Sequence, residues 1–128
     1  MNIHYPIFTV DSGGSIHMAL TPAMLTYYEQ IDVEEGEYAG WDVCGYPIRL
    51  EWEPGVGSKV QLVGETPQTD ELRAAILKHA EIEVPNVPFS YDGSCDDMVE
   101  LFQAVERHIE YNRPSVMKRI RRLFQSKG

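Results

Sequence analysis

The sequence predicts an α+β domain: a mostly antiparallel sheet of about five strands, with three to four helices packed mainly on one face. Three observations predict it. Runs of β-forming residues crowd positions 1–65, and helical periodicity fills 66–128. The links between the early runs are short, which favours antiparallel neighbours. One stretch, Glu37 to Trp52, alternates about a tight turn. A length of 128 residues suits one domain, 1–128, around one core.

Pro6 to Val10 is rich in β-formers and ends at the turn cluster Asp11-Ser12-Gly13-Gly14. Ser15 to Leu20 follows, with Ile16, Met18 and Leu20 alternating against His17 and Ala19. The two runs read as a hairpin. Thr21-Pro22 then opens a short helix, with Thr21 as N-cap and Pro22 at the first helical position, where its missing N–H costs nothing. That helix should end near Gln30, and Ile31 to Gly36 should lead into the central hairpin.

The central hairpin is expected to turn at Cys44-Gly45. Folding about that turn sets Trp41 opposite Ile48 and Ala39 opposite Leu50. One face then collects Ala39, Trp41, Val43, Tyr46, Ile48, Leu50 and Trp52. The other collects Tyr38, Gly40, Asp42, Pro47, Arg49, Glu51 and Glu53. A one-residue slip would turn both tryptophans to solvent, so burial of one face should fix the register.

Pro54 to Ser58 reads as a loop and Lys59 to Val63 as a further strand. Thr66 to Thr69 carries helix-start chemistry. Leu72, Ala75, Ile76, His79 and Ala80 then repeat at helical spacing to about Glu83. Glu83 to Gly93 holds two prolines and should cross irregularly. Ser94, with Asp97 three residues on, reads as a variant capping box for the next helix. Met98, Leu101, Phe102, Val105, His108 and Ile109 carry that helix to Asn112, where Arg113-Pro114 stops it. A last helix, roughly Pro114 to Gln125, sets Val116, Met117, Ile120, Leu123 and Phe124 against a mostly cationic side.

Charge is the least ordinary feature. Six of the 11 basic residues lie in the last 16 positions, where there is no acid. The first 112 residues hold the other 5 against all 20 acids, a body of −15 with a tail of +6. Such a body would repel phosphate, which argues against nucleic acid as a partner. It would instead attract a basic protein. The tail's apolar stripe is expected to close this domain's core or a twin subunit's, the alternative being that it docks on an anionic surface or an acidic groove. A homo-oligomer, most simply a dimer, would form through Arg113, Met117, Lys118, Ile120, Arg121 and Phe124.

Other classes are excluded by pattern. No stretch approaches the roughly 20 apolar residues of a membrane span. The start lacks the basic and apolar regions of a leader. Two cysteines, Cys44 and Cys95, are too few for a disulfide framework, and free thiols in a reducing cytoplasm are expected. Asp92 to Asp97 begins like a calcium loop, but Asp97 replaces the needed glycine and Gln103 the needed glutamate. The four histidines are isolated, and no nucleotide, nucleophile-elbow or zinc motif occurs. Neither a cofactor nor a metal is expected.

Seven tyrosines and two tryptophans exceed what one small core can hide. They point to an interface or an aromatic-lined cleft. The first reading is a non-catalytic interaction protein. The second is a small-molecule binder or minor enzyme with a pocket between sheet and helices. Tyr38, Trp41, Asp42, Arg49 and Glu51 are its candidate residues, with a cross-strand salt bridge as the structural role of Arg49.

Overall fold

The computed structural model of the chain describes residues 2–28, 30–36, 38–93 and 96–112. Five strands form one sheet: β1 (Ile7–Val10), β2 (Ile16–Ala19), β3 (Ala39–Asp42), β4 (Pro47–Glu53) and β5 (Gly57–Leu62). Their order is β2-β1-β3-β4-β5, and every neighbouring pair is antiparallel. A 3-10 helix spans Pro22–Tyr27, followed by α1 (Gln30–Glu34), α2 (Thr69–Glu83) and α3 (Met98–Asn112). The fold is therefore α+β, as the segregation of strands and helices along the chain predicts.

The two long helices cover one face. Phe8 and Ile16 pack there with Leu72, Ile76 and Ala80 of α2 and with Leu101, Phe102 and Val105 of α3. The opposite face is covered too, by the short helical segments. Ile7, Ala19, Ile48 and Leu50 pack there with Leu25 and Val33. The segment read as a lead-in to the central hairpin holds α1, whose single buried residue is Val33. One turn with one anchor is too short to show a helical period.

The first hairpin forms as its turn chemistry requires. Asp11 accepts backbone N–H bonds from Gly13 (2.9 Å) and Ser15 (3.1 Å). Gly14 takes the left-handed conformation, at φ +88°.

The central hairpin differs from expectation by one residue. Gly40 pairs with Ile48, Trp41 with Pro47 and Ala39 with Arg49. The loop holds three residues, not two: Asp42 N–H donates to the Tyr46 carbonyl across Val43-Cys44-Gly45. Gly45 sits at φ +90°, which suits a three-residue hairpin loop with glycine in the left-handed position. Trp41 consequently faces the long helices, while Ile48, Leu50 and Trp52 face the short ones. Burial of one face could not fix the register, because both faces are covered. The turn and the close passage of Gly40 against β1 fix it instead.

The hairpin tip docks on the start of α2. Gln68 N–H donates to the Gly45 carbonyl at 2.7 Å, and Trp41 Nε1 donates to Gln68 Oε1 at 2.8 Å. The start of α3 lies later than the capping box predicts. Asp97 itself is the cap, accepting the Glu100 N–H at 3.0 Å; Ser94 lies outside the described residues. No helix among the described residues is long and apolar enough to cross a membrane.

Candidate functional site

The structure divides the five candidate pocket residues among three places. Asp42 is fully buried at the neck of the central hairpin. Its Oδ1 accepts the Cys44 and Tyr46 N–H groups, both at 3.0 Å, and its Oδ2 accepts the His4 N–H at 3.2 Å. That carboxylate shapes a turn. Trp41 is held by Gln68 on the long-helix face. Arg49 and Glu51 are half-exposed and bond each other at 2.8 Å along β4, two residues apart instead of across strands. They border a cleft of about 380 Å³ with Glu34, Glu35 and Trp52.

Tyr38 alone among the five reaches a groove at the sheet margin. This groove, about 520 Å³, runs along β2, the strand at one margin of the sheet. Ile16, His17, Met18 and Ala19 of β2 line it, with Phe102 and Glu106 of α3 on one side and Met24, Tyr28 and Tyr38 on the other. The size is that of a small-ligand site. The 3-10 segment on one face of the sheet and α3 on the other both wall it, because it straddles the sheet margin.

Each wall is braced. Tyr28 and Tyr38 meet edge to face with centroids 4.6 Å apart, and His17 packs edge-on against both. The Tyr28 hydroxyl shares a 2.8 Å hydrogen bond with Thr9 Oγ1. Burial raises the Tyr28 phenol above its ordinary value, against the opposing pull of that bond, so it stays a neutral hydroxyl. On the α3 side His79 is buried and stacks on Phe102. Its Nδ1 accepts the Ile16 N–H at 3.2 Å, which leaves the proton on Nε2 to be donated to Glu106 Oε1 at 2.8 Å. Helical spacing sets His79 in the apolar repeat of α2; its tie to Glu106 spans 27 residues and left no local signal.

His17 also bonds Asp11, Nε2 to Oδ2 at 3.0 Å. Burial alone would raise the Asp11 carboxyl. The His17 bond, the Ser15 and Gly13 amides and the charge on His17 outweigh burial and hold it below its ordinary 3.8. A carboxyl with a depressed folded-state pKa stabilises the fold above its unfolded value, and that stability is lost as pH falls through the folded value. Asp11→Asn is therefore expected to flatten the acid limb of the stability profile below about pH 4, read by urea midpoints from pH 2 to 7. A limb as steep as in the parent chain would disprove the role.

Other residues able to carry chemistry lie apart from the groove. Cys44 is an exposed free thiol, pushed up first by burial and then by the Asp42 charge. That leaves it a poor nucleophile. His108 bonds the Val87 carbonyl and packs edge-on against Phe89. Tyr111 is 79% exposed, whereas Tyr46 and Tyr91 are half-buried. Among the described residues, no group of three His, Cys, Asp or Glu could hold a metal ion. Arg113, Met117, Lys118, Ile120, Arg121, Phe124 and Cys95 lie outside the described residues.

Comparison with protein-family models, with curated proteins and with solved structures finds no match.

Proposed function

We propose that the chain is a non-catalytic binding module whose recognition site is the β2 groove, and that it takes cationic groups carried on an apolar body. One observation supports this above the rest. Five large apolar or aromatic side chains, from Met18, Met24, Tyr28, Tyr38 and Phe102, line the groove together with Glu106, and among the described residues no Lys or Arg lines it. Aromatic faces and a carboxylate both attract a cation, and the apolar walls favour the body that bears it. The acidic excess of the first 112 residues adds steering of the same sign. A basic protein partner for the acidic body fits the same chemistry.

Phenethylammonium and 3-phenylpropionate test the reading, since they share a ring and differ in charge. The ammonium is expected to bind with a Kd in the millimolar range, as befits so few atoms, and the carboxylate at least about tenfold more weakly. Tyr38→Ala should weaken the ammonium about fivefold, which is about 1 kcal/mol. Chemical-shift titration reads both. Equal binding of the two probes, or shifts confined to residues outside the groove, would reject it.

A further inference from the structure

We infer that the groove's occupant is an extended basic peptide that adds a strand to the margin of β2, which is unpaired among the described residues, and sets a Lys or Arg against Glu106. The inference rests on the binding reading above and names its ligand class.

The argument begins with the backbone. In an antiparallel pair, residues alternate between those that bond the partner strand and those that face away from it. Asp11 N–H donates to the Ser15 carbonyl, which makes that pair a bonded one. By the register Thr9 to His17 and Ile7 to Ala19, the bonded positions of β2 are the odd ones. Ile16, Met18 and Leu20 therefore turn their N–H groups away from β1, toward the open margin.

Two of those three donors are closed by side chains. His79 Nδ1 takes the Ile16 N–H, and Met24 Sδ takes the Leu20 N–H at 3.2 Å. Plugs of this kind protect a sheet margin from indiscriminate pairing. Between them the Met18 N–H and carbonyl face outward, without a partner among the described residues, on the strand that lines the groove. An open donor and acceptor at the centre of an apolar groove match the amide of an extended chain, which bonds a margin through alternate residues.

Side chains of such a strand point alternately to the two faces. One would lie on the α3 side, against Phe102 and Glu106. Its neighbour would lie on the other, against Met24, Tyr28 and Tyr38. Glu106 gives one oxygen to His79, and a carboxylate has further acceptor sites for a guanidinium or ammonium. Among the described residues no Lys or Arg lines the groove to compete, and His17 there is held by Asp11. The peptide is thus a Lys or Arg next to an apolar residue, in extended form. A second copy pairing through the same margin would bring two acidic bodies together, which the charge disfavours.

The probe is fluorescein-labelled acetyl-Val-Lys-Val-Lys-Val-amide, titrated into the full chain by fluorescence polarisation. Three controls accompany it: the same peptide with Glu for Lys, the peptide N-methylated at alternate amides, and phenethylammonium. The lysine peptide should bind at least tenfold more tightly than either altered peptide. Hydrogen exchange at the Met18 amide should slow at least tenfold when it is bound. Glu106→Gln, which can still accept the His79 bond, should erase most of the preference for Lys over Glu while leaving the thermal midpoint within a few degrees. Equal binding of the N-methylated peptide, or unchanged exchange at Met18, overturns strand addition. Binding of phenethylammonium without the peptide overturns the inference and leaves the broader reading standing; binding of neither overturns both. A doubled solution mass that excludes the peptide assigns the margin to a second copy and overturns it as well.

Discussion

Gly40→Ala is expected to unfold the chain or to cost about 4 kcal/mol or more, a large part of a small domain's stability. Gly40 sits in β3 beside Thr9 of β1. A Cβ built there would overlap the Phe8 carbonyl oxygen, with the Phe8 carbonyl carbon and Thr9 Cα both at 2.9 Å. These are backbone atoms of a central strand, so relief means parting β1 from β3 and opening both hydrophobic layers at once. The glycine is required for closeness of approach, not for its dihedrals. Gly55 supplies the contrast: it lies at φ +82° with nothing within 4 Å of the added atom. Gly55→Ala should cost only about 1 kcal/mol, the strain of a left-handed alanine. Urea unfolding followed by tryptophan fluorescence measures both. A Gly40→Ala midpoint equal to that of Gly55→Ala would contradict the β1–β3 pairing.

Asp42→Ala should be the next most damaging change. It strips the acceptor from three backbone N–H groups, those of His4, Cys44 and Tyr46. At about 1 kcal/mol or more for each donor left unpaired, the loss is about 3 kcal/mol. Asp42→Asn keeps one side-chain oxygen for the turn and should cost roughly half as much. The milder variant has a second readout. Removing the Asp42 charge should bring the Cys44 thiol back toward its ordinary 9.0, since that charge is one of the two causes that raise it. The rate of thiol alkylation against pH reports the shift. An unmoved profile together with an unmoved urea midpoint would show that Asp42 does not hold the hairpin tip.

These two residues also show where reading the sequence stopped short. Asp42 and Gly45 carry the pattern of a three-residue loop, an acceptor at the neck and a left-handed glycine at the end. Reading the turn as Cys44-Gly45 shifted the pairing by one and moved Asp42 to an exposed face. The alternation of apolar residues could not correct the error, because Trp41 and Ile48 are each covered, on opposite faces. Arg49 was expected across from Gly40 and stands across from Ala39. Its partner, Glu51, is on its own strand. The groove was less legible still. Only Tyr38 of its lining was singled out as a pocket residue, for its aromatic ring and not for its position.

The sequence by itself determined the order and kind of most elements. The Asp11–Gly14 turn, the proline-led short helix, and the helices ending at Glu83 and Asn112 follow from signals that act within a few residues. It determined the acidic balance of the body as well. Tertiary structure alone decided the strand order, the central register and the groove. Period-two and period-3.6 patterns say which residues avoid water, but not which neighbour covers them. Two covered faces make adjacent registers nearly equivalent to that pattern. The choice then falls to a glycine that must lie against a neighbouring backbone and an aspartate that must cap its own turn. The groove depends on β2 being left at the margin by the sheet order. Only then do Ile16, Met24, Tyr38 and Glu106, spread over 90 residues of chain, enclose one volume.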